Sequence, residues 1–63
     1  MFMRPIFISI NTVQPNGTAQ INVAAIASVV RQGTTTTIHT MDGKSFDTQL
    51  PIQNVLTLIT NAR

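Results

Sequence analysis

Few side chains in this 63-residue chain can do chemistry. His39 is the one group that titrates near neutrality. Asp42 and Asp47 are the two acids, Arg4, Arg31, Lys44 and Arg63 the four cations, and there is no cysteine. The one pairing that suggests acid–base work is His39 with Asp47, which a hairpin would bring onto neighbouring strands. Such a pair becomes catalytic only beside a placed nucleophile. No second histidine or cysteine stands ready to extend it. The pair therefore reads as a hydrogen bond, and the chain as no enzyme, with no catalytic residue, no metal site and no cofactor. The three glycines are isolated, and none opens a helix in the manner of a phosphate-binding loop.

Charge excludes as much as it suggests. The formal net charge is +2, and so few groups titrate that a basic isoelectric point carries little weight. Nucleic-acid binding needs a clustered basic patch or stripe. Arg4, Arg31, Lys44 and Arg63 would have to be gathered by subunit symmetry to form an anion or nucleic-acid contact. That stands as an alternative function. Polarity comes mainly from Thr, Asn, Gln and Ser, which suits protein contacts. A second alternative is a small-ligand pocket at a subunit interface lined by such side chains.

Size points to a partner. One domain of about 60 residues buries only roughly 60% of the surface its unfolded chain exposes. Small scaffolds usually need disulfides, a metal or a second subunit. Disulfides are excluded here, which leaves efficient packing or self-association. No stretch approaches the about 20 apolar residues of a membrane span, and MFMRPIFISI lacks the pattern of a signal peptide. The expectation is a cytoplasmic protein with no membrane partner.

These residues must be positioned by short elements. Pro5 to Val13 alternates, with Ile6, Ile8 and Ile10 on one face and Phe7, Ser9 and Asn11 on the other, which predicts a half-buried strand. Gln14-Pro15-Asn16-Gly17 predicts a turn. Ala19, Ile21 and Val23 continue the alternation. Ala24-Ala25 suits a corner or a single helical turn. Ile26 to Arg31 predicts a strand of mixed facing, and Gln32-Gly33 another turn. Thr34 to Met41 predicts a strand, because threonine is β-branched and fits a pleated surface. Asp42-Gly43 predicts a hairpin, with Lys44 to Thr48 returning and Phe46 facing the core. The period then changes. Ile52, Val55, Leu56 and Ile59 mark one face of a helix of about ten residues, which needs tertiary packing to persist. Pro51 suits the first helical position. The fold class is α+β: a small, strongly bent antiparallel sheet of 4–5 strands with one short C-terminal helix packed on it.

Ile21-Asn22, then Ile26 and Val29, the Thr-rich strand into Asp42-Gly43-Lys44, and Val55, Leu56 and Ile59 together resemble the FlbD/SwrD family of small flagellar and swarming proteins. The resemblance runs from about Phe7 onward. It implies a strand–strand–hairpin–helix layout and a motility context. Pro51, Gln53 and Asn54 stand where that family tends to have a Ser cap and an acidic helix surface. Thr37-Ile38-His39-Thr40 with Asp42-Gly43-Lys44 also resembles the first half of LytTR-type DNA-binding domains. The basic second half is absent from these residues, so DNA contact is not implied. The texture is also that of compact bacteriophage proteins.

Two surfaces suit an interface. If the Thr34–Thr40 strand lies at a sheet edge, its unpaired backbone groups offer β-augmentation, with Thr35, Thr37, His39 and Met41 on one face. The alternative is an interior strand with a solvated threonine face. Phe2 and Phe7 form an apolar N-terminal patch. The reading is a non-enzymatic interaction or adaptor module that pairs with itself and with another protein, through Thr34–Thr40 or the N-terminal strand.

Overall fold

The computed structural model describes residues 5–62. Five strands and one helix follow in the order β1 (Phe7–Val13), β2 (Asn16–Asn22), β3 (Ile26–Gln32), β4 (Thr35–Thr40), β5 (Ser45–Thr48) and α1 (Ile52–Asn61), with a single 3-10 turn at Val23–Ala25 between β2 and β3. The class is α+β.

The sheet is not single. β1 and β2 form one antiparallel pair, and β3, β4 and β5 form a three-stranded antiparallel sheet in that order. One bridge, Gln14 to Asp47, links them, through an Asp47 N–H that donates to the Gln14 carbonyl at 2.9 Å. The expected sheet of four or five strands is therefore divided. At the β1–β5 boundary a side-chain bond stands where a backbone ladder would run: the Thr48 hydroxyl donates to the Asn11 carbonyl at 2.8 Å.

Alternation explains each hairpin. In β1, Ile8, Ile10 and Thr12 are buried while Phe7, Ser9, Asn11 and Val13 are exposed. Their partners Ile21, Ala19 and Gly17 complete the inner face. The reversal is made by Gln14-Pro15, joined by a cis peptide bond. Asn16 and Gly17 already belong to β2, so the turn sits earlier than the Asn-Gly pair suggests. In β3, the register shifts between Ile26 and Ser28. That bulge lets Ile26 and Val29, three residues apart, both pack on the core, which accounts for the strand's mixed facing.

The Asp42-Gly43 reversal is closed by its own hydrogen bonds. Thr40 N–H donates to the Lys44 carbonyl at 2.9 Å, and Gly43 N–H to the Thr40 carbonyl at 3.1 Å. Gly43 takes a φ of 88°, a left-handed conformation that glycine adopts without steric cost.

Ile8, Ile10, Ile21, Ile38 and Val55 form the core, with Val23, Ile26, Val29, Phe46, Leu50, Ile59 and Ala62 packed around it. The helix enters this core by Val55, which is fully buried, while Leu56 is 46% exposed. The residues at this end of the chain that pack on the core are Val55, Ile59 and Ala62, without Leu56, and the half-buried Ile52 faces the groove beside Pro51. Leu56 lies outside the core cluster, on the rim of the helix that packs along β3. Pro51 caps the helix without a side-chain hydrogen bond. The chain is tied down just before it, where the Leu50 N–H donates to Thr48 Oγ1 at 3.2 Å and Thr36 Oγ1 donates to the Leu50 carbonyl at 2.7 Å.

Candidate interaction surfaces

The Thr34–Thr40 strand is not an edge. β4 is the central strand of its sheet, paired with β3 on one side and β5 on the other. Its backbone groups are consumed by these ladders, so strand addition along it has no free template. This corrects the edge reading and leaves an interior strand whose outer face carries Thr35, Thr37 and His39.

That face is only partly open. Thr37 is buried, and its hydroxyl donates to Asp47 Oδ1 at 2.8 Å. Asp47 stands opposite Thr37 in the register, whereas His39 stands opposite Ser45 and Ser28. The expected Asp47–His39 hydrogen bond is thus replaced by Asp47–Thr37, because the register places threonine directly across from the acid. Thr35 is half-buried and His39 exposed. Met41 lies beyond the strand and is 73% exposed. Thr37 therefore acts as a structural residue and not as an open contact.

Phe7 is 51% exposed on the outer face of the first hairpin. It shares a cleft of about 220 Å³ with Ile21, Asn22, Phe46, Asp42 and Lys44. The structure thereby brings together Phe7 and Lys44, which lie far apart in sequence. Asp42 at the rim is held below the ordinary 3.8 of its carboxyl, first by the Thr40 hydroxyl and then by the Lys44 backbone N–H and charge. Phe2, Arg4 and Arg63 lie outside the described residues.

The two remaining cations do not cluster within one chain. Arg31 pairs with Thr36 near one end of β4, while Lys44 follows the other end of that strand. Four to five residues of strand separate these ends by roughly 15 Å. Arg31 instead borders a groove of about 390 Å³ with Gly33, Thr34, Gln49, Pro51 and Gln53. This groove escaped the sequence reading. It forms because the β3–β4 reversal meets the start of α1, a contact that local patterning does not announce. Among the described residues no three metal-ligating side chains converge. No described helix is long and apolar enough to cross a membrane.

The unpaired strand edges lie elsewhere than expected. β1 has β2 on one side and touches β5 through Asn11 and Gln14 on the other. Among the described residues, the strands with one neighbour only and no bridge beyond it are β2 and β3. Neither was singled out by composition, because edge status depends on pairing between distant segments.

Compared with family models, with curated proteins and with solved structures, the chain finds no match.

Proposed function

We propose that this protein is a non-enzymatic interaction module that works as a homo-oligomer and docks a further protein. Its exposed surface supports the reading most directly. Among the described residues Phe7, Val13, Val30, Met41, Leu56 and Leu58 all remain exposed, apolar area that a second subunit would take out of water. The resemblance to FlbD/SwrD proteins supports a bacterial motility setting for the module, and its compact, charge-poor build also suits a phage protein.

Sedimentation equilibrium over a wide concentration range tests the proposal. A mass above that of one chain, insensitive to salt, agrees with it. A single-chain mass throughout removes the homo-oligomer. Binding of nucleic acid with steep salt dependence would favour the alternative in which Arg31 and Lys44 are gathered from several subunits.

A further inference from the structure

We infer that a second copy of this chain joins along the outer edge of β2, extending the β1–β2 hairpin into a four-stranded antiparallel sheet about a two-fold axis. The inference rests on the homo-oligomer reading and names the surface through which it is built.

The hydrogen-bond phase of the hairpin identifies the free groups. Val23 N–H donates to the Ile6 carbonyl at 2.8 Å, so this pair is of the hydrogen-bonded kind. Such pairs alternate along an antiparallel ladder. With the observed register, Ile8–Ile21, Ile10–Ala19 and Thr12–Gly17 are hydrogen-bonded, and Phe7–Asn22, Ser9–Gln20 and Asn11–Thr18 are not. The N–H and C=O groups of Thr18 and Gln20 and the N–H of Asn22 therefore point away from β1, and no backbone partner reaches these groups within the described residues; the Asn22 carbonyl is engaged at the start of the 3-10 turn that Asn22 caps. The phase is consistent on the far side of β1, where the Asn11 carbonyl points outward and is taken by Thr48.

The second free edge differs. β3 carries a bulge between Ile26 and Ser28 and the charge of Arg31, two devices that blunt an edge against pairing. β2 has neither. Its register runs unbroken over seven pairs, and NGTAQIN contains no charge and no proline. A two-fold centred on Gln20 sets Thr18 opposite Asn22 of the partner and forms about four backbone hydrogen bonds with the groups left free. The operation keeps the apolar inner faces of both hairpins on one side. With a formal net charge of +2 per chain, two copies repel only weakly.

Gln20→Pro tests the edge directly. It deletes an outward N–H but leaves the β1 ladder intact, a position where edge strands tolerate proline. Arg31→Pro is the matching change on β3, since Val29 and Arg31 alternate with the residues hydrogen-bonded to β4. Gln20→Lys is the third variant; it keeps the backbone and places like charges across the axis. Self-association is read by sedimentation and folding by circular dichroism. The expected result is a folded Gln20→Pro chain whose association weakens at least about tenfold, with Arg31→Pro unchanged. Gln20→Lys should weaken at low salt and recover as salt is added. If the wild type associates but Gln20→Pro and Gln20→Lys leave it unaltered, or if Arg31→Pro alone disrupts it, the β2 edge is wrong while the homo-oligomer stands. Should Gln20→Pro unfold, Gln20→Lys alone decides. A monomeric wild type overturns both statements and leaves the edge to a strand of another protein.

Discussion

The Thr48 hydroxyl donates to the Asn11 carbonyl at 2.8 Å, across 37 residues of chain. Thr48 is 1% exposed and also accepts from the Leu50 N–H, so one side chain ties β1, β5 and the approach to α1 together. Thr48→Val keeps the shape and takes the hydroxyl away from the Asn11 carbonyl and the Leu50 N–H, both in part-buried bonds. The expected cost is about 1–3 kcal/mol, read from urea unfolding. Thr48→Ser keeps the hydroxyl and should lose less. Equal stability of wild type and Thr48→Val would mean that the two sheets are not coupled through this residue.

Val55 and Leu56 separate two descriptions of the helix. Val55 is fully buried and Leu56 nearly half exposed. Val55→Ala should cost about 1–3 kcal/mol through the cavity it opens, and Leu56→Ala less than about 1 kcal/mol. Thermal and chemical denaturation compare them directly. A larger loss at Leu56 would place that side chain in the core and rotate the helix.

How much of this was legible follows from range. The alternation of Ile8 and Ile10, the Asp42-Gly43 reversal and the helix from Ile52 are local patterns, and each element appears where its residues call for it. Leu56 satisfied the same helical spacing as Ile52 and Ile59, but spacing does not say how wide a face the neighbouring strands can cover. The place of β4 between β3 and β5, and the division of the sheet at Thr48 and Asn11, are set by contacts between segments far apart. A threonine-rich strand fits an edge or a centre equally well. The choice between edge and interior for the Thr34–Thr40 strand was open for that reason, and among the described residues the free edges fall to β2 and β3.

Ile38 belongs to the core cluster, is fully buried and is paired from β4 with Val29 on one side and Phe46 on the other. Ile38→Ala should cost about 2–5 kcal/mol. In a domain this small that loss is a large share of total stability, so partial unfolding at room temperature is the expected signal in circular dichroism. Full retention of the native spectrum and midpoint would contradict the packing described.

Acid dependence should trace in part to Asp42. The Thr40 hydroxyl, the Lys44 N–H and the Lys44 charge hold its folded-state pKa below the ordinary 3.8. A depressed carboxyl contributes stability above its unfolded value, and that contribution is lost as pH falls through the folded value. The window therefore lies below pH 3.8. Thr40→Val removes the largest cause, so the Asp42 carboxyl, followed by NMR, should titrate closer to its ordinary value. An unmoved titration would assign the shift to Lys44.

Molar mass by light scattering behind a sizing column, at low and high salt, tests self-association most directly. The account predicts a species of at least twice the 6.9 kDa chain mass, present at both ionic strengths because backbone pairing and apolar contact hold it. A well-folded species of 6.9 kDa at every concentration would contradict it.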